Sequence, residues 1–440
     1  MSITVTDARL DGRPCGLRAE SGVIVELGPD VEARPGDEVI AANGAVLVPP
    51  LVNGHTHAAM TLFRGHGDDL PLMRWLTEKI WPVEAALLPE DVYWGARLAC
   101  VEMIRSGTVR FWDMYWHPEA AARAVIDAGL RATVAAPLID ARGDGKTLRE
   151  HAIASIDAIA GGDDTVDVAL GPHAIYTVSE RSLRWIAELA ADLGVCVHMH
   201  LAETEHEVID CVREHGMRPA AYLDRLGLLG PRTLLAHGVW LDDAELELIA
   251  ARGATIVTNP VANLKLAVGG VFPYPAARRA GVAVGLGTDG AASNNSLDLF
   301  SDMKTFALLQ KHAATDPEAV GAPETWEVAT GQRAPLLGTT GTLAVGEAAD
   351  FLLLRADAPE LAFGEISAGL VYAAGRSIVD TTVVGGRVLM RHGTIAGADE
   401  VLARAIECAR RLGLGCPASP KRTAGSPAAG RAPAATAIQR

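Results

Sequence analysis

Leu51-Val-Asn-Gly-His-Thr-His57 follows directly on an apolar segment, Ala45-Val-Leu-Val48, and two prolines, Pro49 and Pro50. The run reads as a strand ending in His-x-His. A strand residue and its second neighbour project to one face. His55 and His57 are therefore expected to present two imidazoles to one point, as a His-x-His pair at a strand end does when it holds a divalent metal. Further ligands have to come from other strands, and the sequence supplies them in order.

Downstream, strand-like and helix-like segments alternate. After the strand ending at His55, strands are expected at 108–114, 132–138, 166–173, 195–200, 233–237, 254–258 and 282–289. Helical spacing fills most of the gaps: Leu183, Ile186, Ala190 and Leu193 fall on one face of a helix over 179–194, closed by Gly194. Similar segments cover 89–107 and 242–253, stopped by Gly107 and Gly253. Eight parallel strands with intervening helices predict a (β/α)8 TIM-like barrel, an α/β fold; a doubly wound open sheet is the structural alternative. Residues 1–50 and 345–400 carry short β-like runs broken by Gly, Pro and Asp, and are expected to pair into one small β-sandwich domain. Residues 51–344 would form the barrel and 401–415 a C-terminal helix. Residues 416–440, rich in Pro, Ala and Gly, read as a disordered tail.

In barrel enzymes the chemistry sits at the C-terminal strand ends. Strand one offers His55 and His57, strand five His200 and then Glu203, strand six His237, and strand eight Asp289. Three imidazoles and a carboxylate, His55, His57, His200 and Asp289, suit one Zn²⁺ with a water completing the site. Such an ion lowers the pKa of its water and makes a nucleophile of it. Glu203, just past a ligand, is placed to shuttle protons, and His237 to orient the nucleophile or stabilise the tetrahedral intermediate. Two readings compete. His198 shares the face of His200 and could ligate instead, although Glu203 would then lose its close spacing to the metal; a hydrogen-bonded barrel histidine is the preferred reading. Asp289 alone would also fit a helix N-cap before Gly290-Ala-Ala-Ser293.

Composition narrows the partners. The chain has 440 residues, 49% hydrophobic, enough for a large core, and 39 Lys and Arg against 54 Asp and Glu. The net charge of −15 argues against a nucleic-acid surface. Six cysteines form no CxxC pair, so reduced, mostly buried thiols are expected. With no signal-like N-terminus and no membrane-length apolar run, a cytoplasmic protein without a membrane partner is expected.

His55-Thr-His57, His200-Leu-Ala-Glu203, His237 and Gly287-Thr-Asp289 resemble the mononuclear aminohydrolases of the amidohydrolase superfamily. Leu70-Pro-Leu-Met-Arg-Trp-Leu76, Gly171-Pro-His173, Asn263-Leu-Lys-Leu266 and Gly287-Thr-Asp-Gly-Ala-Ala-Ser-Asn-Asn-Ser296 resemble, more closely, the S-adenosylhomocysteine/5′-methylthioadenosine deaminases, over roughly residues 45–390. The resemblance implies a barrel with a β-sandwich-like appendage, one Zn²⁺ (sometimes iron), hydrolytic loss of ammonia and a homo-oligomer. It also implies substrate contacts: Trp75 lining the base or sugar pocket, Glu84 accepting from the ribose hydroxyls, His173 hydrogen-bonded to the nucleoside, and Ser293 near the metal-facing loop.

The chain departs from that pattern. Where members taking S-adenosylhomocysteine place an arginine for the substrate carboxylate, this chain has Ala136, with Arg142, Lys146 and Arg149 in the following loop; Arg149 is a candidate for partial compensation. Losing such a pair weakens that substrate by on the order of 2–3 kcal/mol, which favours a 5′-modified adenosine with an uncharged substituent, such as 5′-methylthioadenosine or 5′-deoxyadenosine, or adenosine itself. Thr258-Asn-Pro260 and Pro49-Pro50 also differ from the usual His-Asn-Pro and Pro-Gly. The alternatives are a hydrolase of another heteroaromatic ring (guanine, a pterin, a triazine) with the same metal set, and a catalytically inactive barrel scaffold.

Overall fold

The computed structural model describes residues 2–140 and 145–415; the expected disordered tail and Arg142 lie outside them. Eight parallel strands, Leu51–Thr56, Thr108–Met114, Arg131–Leu138, Val166–Pro172, Cys196–Leu201, Thr233–His237, Thr255–Thr258 and Ala283–Leu286, pair strictly in chain order. Sequential order is what a barrel requires; a doubly wound sheet reverses direction at a switch point. The ends of the sheet meet through residues 53–56 and 287–289. Asn53 donates to Thr288 Oγ1 (2.7 Å) and accepts from the Thr288 amide (3.1 Å), and the Asp289 amide donates to the His55 carbonyl (3.0 Å). That approach requires Gly287: a Cβ there would stand 2.9 Å from the His55 backbone and 2.3 Å from Asn259 Oδ1.

The helices run where the apolar spacing places them: Pro89–Arg105, Glu180–Leu193 and Asp243–Arg252. Gly194 ends the second in the left-handed region, φ +68°, where a side chain would be strained. Asp242 starts the third through a capping box, accepting from the Glu245 amide (2.9 Å) while the Glu245 carboxylate accepts from the Asp242 amide (3.2 Å). Inside the barrel, Val52, Trp112, Ala135, Ala169, Leu234 and Val257 pack with Ala334 and Leu337. This apolar plug supports the imidazoles, with the Trp112 ring edge-on to His198, 5.7 Å between centres.

The chain ends build a second sheet with its own core, including Val5, Leu17, Leu47, Phe351 and Val383. Its strands run in the order Arg387–Met390, Val379–Val384, Phe351–Leu354, Val46–Val48, Ser2–Leu10, Arg13–Glu20 and Val23–Gly28, with Glu38–Ala41 beside Ser2–Leu10. It is hydrogen-bonded as one continuous mixed sheet. Arg131 of the barrel forks onto Asp350 beside it (2.9 and 3.4 Å). The C-terminal helix spans Ala398–Arg411, shifted from the expected 401–415, because Gly397 and Gly413 take left-handed backbone on either side. It packs on Pro89–Arg105, and Arg411 pairs with Asp91. Among the described residues, no helix is long and apolar enough to cross a membrane.

Candidate metal and active site

His55 lies in the first barrel strand and His57 one residue beyond it. Their Nε2 atoms stand 3.4 and 3.2 Å from Asp289 Oδ1, at the end of the eighth strand. The ligand atoms of His55, His57 and His200 lie within 4.8 Å of one another, as do those of His55, His237 and Asp289. The other ring nitrogens are engaged elsewhere. His57 Nδ1 donates to the Met114 carbonyl (2.6 Å) and His200 Nδ1 to the His173 carbonyl (2.8 Å), which leaves both Nε2 lone pairs free. His55 Nδ1 lies 2.8 Å from His198 Nε2. His198 therefore spends its Nε2 on orienting His55, and that nitrogen is not available to a cation. His55 Nε2 is buried with no hydrogen-bond partner. An orphaned imidazole nitrogen facing a carboxylate and further imidazoles is the donor set a divalent cation takes.

The electrostatics agree. Burial holds His55 down to about 4, His173 down to about 3, and His198 and His200 well below the ordinary histidine range, so these rings are neutral. Burial also lowers His57, but the Asp289 carboxylate overrides it and lifts the ring to about 9. Asp289 itself is raised by burial and pulled well below the usual carboxylate range by His55 and His57.

Ala202, His237 and Asp289 adopt left-handed backbone, φ +50°, +77° and +60°. Non-glycine residues enter that region at a cost met by surrounding contacts. At the fifth strand the contact is Glu207, whose carboxylate accepts from the amides of Ala202 (2.8 Å) and Glu203 (3.0 Å). Burial pushes Glu207 up to about 7 and raises the buried Glu203 carboxyl. A raised carboxyl takes and returns protons more readily near neutral pH. Ser293 Oγ donates to Asp289 Oδ2 (2.6 Å), leaving Oδ1 to face the histidines.

One open cleft is lined by His57, His200 and Asp289. Trp75, Glu84, His173, Glu203, His237 and Ser293 all line it. Trp75 and Glu84 arrive on a helical segment, residues 72–84, that no strand-end rule would place there. Burial raises the Glu84 carboxyl, opposed by the Tyr115 and Trp116 side chains. Arg149 departs from expectation: it is not among the lining residues, and its guanidinium sits over the Trp185 ring, 5.7 Å from the centre. It sits on the helix Lys146–Ile159, near the Asp140 carboxylate just past the third strand. Tyr115, Trp116 and Tyr176 line the cavity without having been singled out, although the first two immediately follow the second strand, where the strand-end rule could have found them.

Residues 46–389 match the model of the Amidohydrolase family. The chain is 47% identical to a 5′-deoxyadenosine deaminase of Methanoregula boonei, covering 88% of this chain and 90% of that protein. It is 43% identical to a 5-methylthioadenosine/S-adenosylhomocysteine deaminase of Archaeoglobus fulgidus, covering 90% and 94%. Among solved structures, an adenosine deaminase from Xanthomonas campestris with bound zinc superposes with a TM-score of 0.86 at 36% identity, over 93% of this chain and 98% of that one.

Proposed function

The chain belongs to the amidohydrolase family, and from that premise we propose that it is a zinc-dependent hydrolytic deaminase of adenosine-type nucleosides, giving the inosine analogue and ammonia. The observation that carries the reading is one cleft onto which a three-histidine, one-aspartate donor set opens, lined also by a buried glutamate, Glu203, and a further carboxylate, Glu84. Hydrolytic deamination at an aromatic carbon needs the first two; a ribose explains the third.

His55, His57, His200 and Asp289 would hold the cation. When bound, Zn²⁺ makes a water molecule acidic enough to supply hydroxide near neutral pH. Glu203 takes the proton that water releases and delivers it to the ring nitrogen adjoining the amine-bearing carbon. The water oxygen adds to that carbon as a hydroxyl, the proton of that hydroxyl passes to the amine, the carbon–nitrogen bond breaks with loss of ammonia, and the added oxygen becomes the ring carbonyl. His237 orients the attacking oxygen. Asp289, fixed by Ser293, contributes its negative charge opposite His237. Trp75 covers the nucleoside, Glu84 accepts from the ribose hydroxyls, and His173, whose Nδ1 lies 3.0 Å from Thr177 Oγ1, turns its other nitrogen to the substrate.

An uncharged 5′-substituent fits best. The described lining residues include Pro137, Ile139, Tyr176 and Leu266 but no Arg or Lys, while three carboxylates, Glu84, Glu203 and Asp289, share the space. The name of the Methanoregula boonei relative, a 5′-deoxyadenosine deaminase, points the same way, whereas that of the Archaeoglobus fulgidus relative covers both 5-methylthioadenosine and S-adenosylhomocysteine. Ammonia release from 5′-deoxyadenosine, 5′-methylthioadenosine, adenosine, S-adenosylhomocysteine and free adenine tests it. The first two should turn over fastest and adenine not at all; equal turnover of adenine would remove the ribose from the reading.

A further inference from the structure

We propose that Asn263 is a positioning residue: its side-chain oxygen holds His237 as the Nδ1–H tautomer, so that Nε2 meets the reacting oxygen as an acceptor. This rests on the adenosine-deaminase reading above for its kinetic part, but not for its structural part.

Asn263 lies in the short helix Pro260–Lys265, which leaves the seventh barrel strand beside His237. It is buried, and its Oδ1 stands 2.8 Å from His237 Nδ1. An amide oxygen only accepts, so the shared proton belongs to the imidazole. As placed, Asn259 turns its Nδ2 toward that Nδ1 at 3.4 Å, a longer contact than the one to Asn263, and leaves its own Oδ1 buried and unpaired. Only with its two amide atoms exchanged, which have nearly the same shape, does Asn259 become a second acceptor for the same N–H.

The other imidazoles of the site do not depend on a side-chain amide. His57 and His200 donate to backbone carbonyls, and His55 faces His198. His237 has no carbonyl in that role. Its backbone is held at φ +77° and its ring stacks on His200, 5.4 Å between centres at 28°. Ring position is thus set by packing, but the tautomer is set by Asn263. The wrong tautomer would turn an N–H toward the oxygen that His237 has to orient. A buried ring in the wrong protonation pattern costs turnover without costing substrate affinity.

The test uses the full-length, metal-loaded enzyme with 5′-deoxyadenosine and two variants. Asn263→Leu removes the acceptor at similar volume; Asn263→Asp keeps an acceptor oxygen in place. Asn263→Leu is expected to lose about 30- to 100-fold in kcat with KM changed by less than about threefold and metal content intact. Asn263→Asp should stay within about fivefold of the parent. A purely structural role predicts the reverse order, because a buried charge disturbs packing more than leucine does. Equal kcat for Asn263→Leu and the parent, or Asn263→Asp as slow as Asn263→Leu, overturns the proposal. Long-range ¹⁵N spectra of histidine-labelled parent enzyme decide it without turnover: a protonated Nδ1 on His237 is expected, and a protonated Nε2 with bare Nδ1 overturns it even if Asn263→Leu fails to fold. Absence of deaminase activity in the parent would sink the proposed function and leave this spectral result standing.

Discussion

Glu203 and His198 illustrate how neighbouring polar residues divide labour in a buried site. Glu203 touches no ligand atom through a hydrogen bond, yet its carboxyl is buried and raised beside the donor set. Glu203→Gln keeps the volume and removes the proton carrier. It should bind metal normally while turnover falls by at least about 10²- to 10⁴-fold. Elemental analysis alongside ammonia release checks it; loss of metal would make Glu203 a ligand instead. His198 acts one step back, through its contact with His55 Nδ1. His198→Phe should weaken metal affinity about 10- to 100-fold by freeing the His55 ring. Competition with a chelating dye measures it, and unchanged affinity would reduce His198 to packing against Trp112.

At the scale of elements, the helices after strands seven and eight hold the rim of the site together. Pro260–Lys265 carries Asn263 and Lys265; the Lys265 ammonium donates to Asp68 Oδ1 (2.6 Å), Asn295 Oδ1 (2.6 Å) and the Ala292 carbonyl (3.1 Å), joining this helix to two loops. Leu299–Ala314 begins beside it, and its first turn buries Asp302, which accepts from the Val261 amide (3.2 Å) and Asn294 Nδ2 (3.1 Å). Burial pushes Asp302 up to about 8. Its folded pKa therefore exceeds the unfolded value of about 3.9, the native state binds more protons, and stability falls as pH rises between those two values. Asp302→Asn removes the ionisation and keeps an oxygen to accept from the Val261 amide, while its NH2 group replaces the oxygen that accepts from Asn294 Nδ2 and has to meet the unpaired Asn294 Oδ1 instead. The variant should lose that slope and exceed the parent in stability by several kcal/mol above about pH 8, with little difference near about pH 4. Urea unfolding across that range measures it; parallel pH profiles would show that Asp302 does not titrate on folding.

At the scale of the whole molecule, the two chain ends and the barrel are coupled through few polar contacts, of which Arg131 with Asp350 is the most complete. Asp350 also accepts from the Gly385 amide (2.6 Å), so one carboxylate ties the third barrel strand to the turn after Val379–Val384. Asp350→Ala should cost about 1–3 kcal/mol, since it leaves a partly buried guanidinium and an amide without their acceptor. A lowered denaturant midpoint is expected, and an unchanged one would make the pair a surface ornament. The barrel itself was legible in one dimension, because parallel strands and covering helices leave different periodicities: apolar runs of strand length, such as Val195–His200, alternate with segments such as Glu180–Leu193, whose apolar residues recur at helical spacing. The clustering was legible too, since His55, His57, His200, His237 and Asp289 all fall at or next to strand ends, and a closed barrel gathers strand ends at one mouth. Tertiary structure alone decided what lies between those ends. It turned His198 toward His55, put Asn263 against His237, swung Arg149 onto Trp185, and laid Trp75 and Glu84 over the cavity from a segment with no strand of its own. The physical reason is that periodicity reports which face a residue occupies, whereas the partner of a buried polar atom depends on packing between elements far apart in the chain, and on which acceptor remains once the backbone has taken its own.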